Sequence, residues 1–144
     1  AGTGKTTFLQ NLERKLWREY YGLEKNNTND VVRIPLRIVL SETRDYRIAI
    51  EEFWKLNDNA LKTVRNEPVM IMFDGFDEID KQINLYEYNH LGDKRTWYDA
   101  KVIVTSRKEN LPSTEGFEKW FVPNNDLSVI ETYCLRTVSQ LPFL

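Results

Sequence analysis

Cysteine and histidine are nearly missing from this chain: Cys134 and His90 stand alone of their kinds among 144 residues. One cysteine excludes an internal disulfide framework and a cysteine-built metal site, and it fits a reducing, cytoplasmic setting. One histidine leaves no histidine-built metal site. No apolar run nears the roughly 18 residues that a membrane span requires, and no signal peptide is visible. No membrane partner is therefore expected. A net charge of −2 leaves no basic footprint for nucleic acid. Repeats, low-complexity tracts and linkers rich in Pro, Gly or Ser are also missing. Hydrophobic residues at 41% and charged residues at 29% suit one soluble globular domain with a real core.

What is present is alternation. From Thr6 to about Tyr21, Phe8, Leu9, Leu12, Leu16 and Tyr20 form a helical stripe. Asn26 to Asp30 breaks it. Val31 to Leu40 is β-branched and apolar with Pro35 inside, which predicts an edge-side strand. Asp45 to about Arg65 predicts a second helix, with Ile50, Phe53, Trp54, Leu61 and Val64 facing inward. Val69 to Phe73 is a continuous apolar run, as expected of a strand buried on both faces. Asp80 to about Arg95 predicts a weaker helix, and Val102-Ile103-Val104 another buried strand. Phe121-Val122 and Leu127 to Val138 supply a last short strand and helix, the latter holding Cys134. This order predicts a three-layer α/β fold with a mostly parallel sheet. Trp17, Trp54, Trp97 and Trp120 lack basic interleaving, which favours packing over base stacking. His90 is expected on a surface helix or loop.

Three motifs carry the chemistry. Ala1-Gly2-Thr3-Gly4-Lys5-Thr6-Thr7 is the second half of a phosphate-binding loop, the Walker A pattern. Gly2 and Gly4 would let backbone N–H groups wrap a phosphate, Lys5 would neutralise the β- and γ-phosphates, and Thr6 would ligate Mg²⁺. A glycine turn capping a surface helix is the plainer alternative. The pattern's first glycine would fall two positions before Ala1, after a strand, so the chain is expected to be a fragment. The second motif is the apolar run ending in Asp74-Gly75-Phe76-Asp77-Glu78, with Asp80 beyond. A carboxylate at the end of a buried strand is the Walker B arrangement: Asp74 would hold Mg²⁺, and Asp77 or Glu78 would orient or deprotonate a water. Alone it could be a solvated acidic turn. Paired with the glycine loop it predicts binding of a nucleoside triphosphate with Mg²⁺. The third motif, Thr105-Ser106-Arg107, ends the next apolar strand, where hydroxyls and a guanidinium could hold a γ-phosphate rather than a surface salt bridge.

Together these residues resemble the NACHT branch of the STAND class of P-loop NTPases. The resemblance runs from the half Walker A at 1–7 through the Walker B at 69–78 to a sensor-like segment at 101–107. Phe73-Asp74-Gly75-Phe76-Asp77-Glu78 is its most diagnostic piece. It implies that residues 1–144 are a partial nucleotide-binding domain of P-loop NTPase fold with the first strand missing. Implied too is a switch that rests with ADP, exchanges it for ATP, homo-oligomerises when activated, and resets by slow hydrolysis. Cofactors would be Mg²⁺ and ATP or ADP. Gly2, Thr3, Gly4, Lys5, Thr6 and Thr7 would bind nucleotide, with Thr7 at the α-phosphate. Thr6 and Asp74 would serve the metal, Asp77 or Glu78 the water, and Arg107 the γ-phosphate. ATP over GTP rests on the resemblance. Protein partners would act through flanking domains.

Pro142 arrives sooner after Arg107 than the family's adenine-side Pro, so either a segment is deleted or the match is coincidence. Two alternatives stay open: a module that holds nucleotide without hydrolysis, and a remodelling ATPase of the AAA+ type. Half a phosphate loop could also leave the chain inert.

Overall fold

The computed structural model describes residues 4–25, 31–79 and 83–107. Expectations for Gly2, Thr3, Asp80, Trp120, Cys134, Pro142, the strand at Phe121-Val122 and the helix at 127–138 lie outside them.

The first helix, α1, runs Lys5–Tyr20 and starts directly after Gly4, whose φ of 77° is left-handed. The chain leaves it at Gly22, also left-handed at φ 70°. There Gly22 N–H donates to Glu19 O and Leu23 N–H to Arg18 O, the paired closure that satisfies orphan carbonyls at a helix end. Leu9 is the fully buried member of the expected stripe, whereas Tyr20 is exposed.

Among the described residues three parallel strands follow: β1 (Ile34–Val39), β2 (Pro68–Asp74) and β3 (Asp99–Val104), in the spatial order β1-β2-β3. Among the described residues β1 is an edge strand, which accommodates the missing N–H of Pro35. β2 lies between its neighbours, and this is why its sequence is continuously apolar.

Side chains alternate across the sheet. One face carries Leu36, Ile38, Val69, Ile71 and Phe73, and packs with Ala49, Ile50, Leu61, Leu85 and Trp97 into the main core. Those partners come from α2 (Ala49–Trp54), α3 (Asp58–Arg65), α4 (Leu85–Tyr88) and the turn before β3. The opposite face holds α1, which packs on β1 and β2. Helices thus cover both faces of a parallel sheet.

The single helix expected from Asp45 to Arg65 is instead two. Lys55 adopts a left-handed conformation (φ 49°), and Leu56 N–H closes back on Glu51 O. Asn57 then starts α3, its side chain accepting from Ala60 N–H at 2.9 Å. A good N-cap makes a restart cheap, and the core positions Ile50 and Leu61 are reached on both sides of the break. Of the helix expected from Asp80 to Arg95, the described residues 83–95 hold only α4. Asn84 caps it, and the buried Asn89 turns the chain by donating to Tyr46 O and Leu85 O. His90 follows in that turn, exposed as expected and left-handed at φ 54°.

At the N-terminal ends of the strands Arg33 is almost fully buried. Its guanidinium donates to Val69 O (3.3 Å) and Asp99 O (3.2 Å) and pairs with the Asp99 carboxylate at 2.7 Å. Trp97, shortly before Asp99 in the chain, is held by its own Nε1–H bond to Asn89 O, with the Arg65 guanidinium 5.4 Å over its ring.

Ile71 is fully buried in the central strand. Ile71→Ala is expected to cost about 2–5 kcal/mol through lost transfer energy and the residual cavity. Urea unfolding should show this as a lower midpoint at an unchanged slope.

Candidate functional site

All three strands point their C-terminal ends the same way, and α1 begins there too. Phosphate-binding chemistry in open parallel sheets sits at this end. Lys5 and Thr6 arrive on the first turn of α1, Asp74 on the last residue of β2, and Thr105 and Arg107 just past β3.

Asp74 is the centre. Its carboxylate is buried and accepts from Thr6 Oγ1 and Thr105 Oγ1, each at 3.2 Å to Oδ1. Arg37 from β1 approaches Oδ2 at 3.5 Å. A buried carboxylate is tolerated only when paired and hydrogen-bonded in this way. Thr105 does double duty, because its hydroxyl also accepts from Gly75 N–H at 3.1 Å. Its carbonyl accepts from Phe76 N–H and its N–H donates to Phe73 O. The turn after β2 is thereby stitched to the end of β3.

Gly75 makes that turn possible with φ 83°, a conformation L side chains avoid. A Cβ there would lie only 3.1 Å from the Glu78 side chain, which folds back over the glycine. One short 3₁₀ turn, Phe76–Glu78, then separates the fates of the two following acids. Asp77 points inward with 3% of its side chain exposed, paired with Lys5 Nζ at 3.2 Å and Arg107 Nε at 3.2 Å. Glu78 is exposed.

The structure therefore brings Lys5, Thr6, Asp74, Asp77, Thr105 and Arg107 together. Gly4 caps α1 beside them. Thr7 is exposed on the first turn of α1, and no bond ties it to the cluster. Among the described residues Ser106 makes only a local bond to Arg107 O. Sequence reasoning missed Arg37 and Glu13. Arg37 Nε binds Glu13 Oε2 of α1 at 2.8 Å while its Nη1 faces Asp74. The available signal was a lone Arg inside an apolar strand, at the alternation opposite Leu36 and Ile38. Lys5, Arg37 and Arg107 oppose Glu13, Asp74 and Asp77, so the charges of the cluster balance one for one.

Comparison with protein-family models, with curated proteins and with solved structures gave no match. Among the described residues no helix is long and apolar enough to cross a membrane.

Thr105→Val keeps the shape but leaves Gly75 N–H unpaired and removes one donor from Asp74. A loss of about 1–3 kcal/mol is expected, as for other orphaned buried groups. Denaturant titration beside Thr105→Ser, which keeps the hydroxyl, would check it: Ser should recover most of the loss.

Proposed function

We propose that this chain is a nucleotide-binding switch module of P-loop type, taking Mg²⁺ with ATP or ADP at the C-terminal end of its sheet. The supporting observation is convergence. A helix N-terminus bearing Lys5 and Thr6 meets the strand-end acid Asp74, with Thr105 and Arg107 on the adjoining strand. Helix N-termini and strand ends of this kind favour phosphate groups.

Among the described residues no three His, Cys, Asp or Glu cluster as a metal cage. Mg²⁺ at a nucleotide site does not need one. It takes one or two protein oxygens and completes its shell with phosphate and water. The Thr6 hydroxyl and Asp74 carboxylate, 3.2 Å apart, fit that share. When bound, the ion neutralises phosphate charge.

In this reading Lys5 meets the β- and γ-phosphates, Thr7 the α-phosphate and Arg107 the γ-phosphate. Gly2 and Thr3 would complete the loop. Asp77 is occupied by two cations, so Glu78, exposed on the same turn, is the acid left to orient and deprotonate a water. Rate acceleration would come from positioning and charge neutralisation, as phosphoryl transfer requires. The P-loop NTPase fold, the NACHT/STAND assignment, ATP over GTP, and oligomerisation on nucleotide exchange rest on the resemblance carried by Phe73 to Glu78 and Lys101 to Arg107. Flanking domains would pass the signal on.

Calorimetry with Mg²⁺-ADP and Mg²⁺-ATP tests the proposal, on the chain with any residues encoded upstream of Ala1 included. Binding that vanishes with Lys5→Ala is the expected result, and no binding to the unaltered chain would overturn it. Glu78→Gln should then slow single-turnover hydrolysis by roughly a hundredfold or more. An unchanged rate would remove Glu78 from the water's side.

A further inference from the structure

Asp77 is the one acid of the site that engages both cations assigned to the terminal phosphates. Lys5 Nζ lies 3.2 Å from its Oδ1 and 3.4 Å from its Oδ2, and Arg107 Nε lies 3.2 Å from Oδ2. The two cations come from different elements, α1 and the end of β3, and meet at a carboxylate that is almost wholly buried. Asp74 is engaged elsewhere, by Thr6, Thr105 and Arg37. Glu78 is exposed and carries no ion pair among the described residues. Two carboxylate oxygens between an ammonium and a guanidinium reproduce what two phosphate oxygens would offer the same donors.

We propose that Asp77 is an internal stand-in for the phosphates: it holds Lys5 and Arg107 and competes with the nucleotide for both. This rests on the nucleotide-binding reading and deepens it. Asp77 is then a positioning residue that sets affinity, and the water belongs to Glu78. An anion entering beside Asp77 meets a like charge at short range, and the carboxylate must give up partners as the phosphates gain them. The cost is unequal between ligands. A diphosphate competes for Lys5 alone, whereas a triphosphate competes for Lys5 and Arg107 together. Asp77 therefore weakens triphosphate binding more than diphosphate binding and biases the site toward the diphosphate.

The test measures dissociation constants for Mg²⁺-ADP and for the Mg²⁺ complex of ATP's non-hydrolysable β,γ-imido analogue. Calorimetry would compare the unaltered chain with Asp77→Asn, with folding followed by circular dichroism. Asn keeps the shape and loses the charge. The triphosphate analogue should tighten by roughly tenfold and ADP by clearly less, the scale of one charge-assisted hydrogen bond. Asp77→Glu, which keeps the charge, should hold the ratio near that of the unaltered chain. The ratio of the two affinities is the readout, because a merely structural loss would weaken both ligands together. Should Asp77→Asn not fold, Asp77→Ser gives the same ratio with a smaller neutral side chain. An unchanged ratio, or weaker binding of both ligands by a folded neutral variant, overturns the proposal. Absence of binding by the unaltered chain and by every variant overturns the nucleotide reading itself.

Discussion

A carboxylate buried at the end of a central β-strand needs compensation that the strand itself lacks. At Asp74 that compensation arrives from α1, β1 and the end of β3 at once, as the Thr6 hydroxyl, the Arg37 guanidinium and the Thr105 hydroxyl. No two of these are neighbours in sequence. The acid therefore acts as the meeting point of the molecule, and the elements around it are placed as much by its desolvation penalty as by the apolar faces behind them. Arg37 extends the arrangement outward, since its other contact is Glu13 in the middle of α1. The helix is thus held to the sheet at its first turn and again two turns later.

The apolar core supplies cohesion, and the polar end supplies definition. Leu36, Ile38, Val69, Ile71 and Phe73 exclude water from one face of the sheet and fix which side chains point which way. Alternation then delivers Arg37 and Asp74 to the other face, under α1. The turn at Gly75 completes the division of labour. With the backbone left-handed at that residue, Asp77 is buried against Lys5 and Arg107 while Glu78 is exposed, although they are adjacent in the chain.

Much of this is legible in the sequence. The stripe of α1, the continuous apolar run of β2 and the shorter one of β3 are strong periodic signals, and they placed Lys5, Thr6, Asp74 and Arg107 on the correct ends of the correct elements. The break at Lys55 was hidden because apolar residues continue at helix-like spacing on both sides, and a left-handed lysine leaves no mark in composition. Asn57 was the only sign, a capping residue where a helix interior was expected. The turn at Asn89 was hidden likewise, because its bonds reach a backbone carbonyl at Tyr46 that sequence distance conceals. The choice between Asp77 and Glu78, and the pairing of Arg37 with two acids, depend on contacts between distant segments. Such contacts are geometry, and neighbouring letters do not encode them.

At the other end of the sheet, Arg33 reaches carbonyls on both β2 and β3 and the Asp99 carboxylate with one planar group. Sliding either strand by one residue would move its acceptor by about 3.3 Å, beyond hydrogen-bond reach, and would turn its side chains to the opposite face. The guanidinium thus works as an alignment pin that fixes the strands' relative depth. Relative to one another, β1, β2 and β3 thereby keep a fixed stagger.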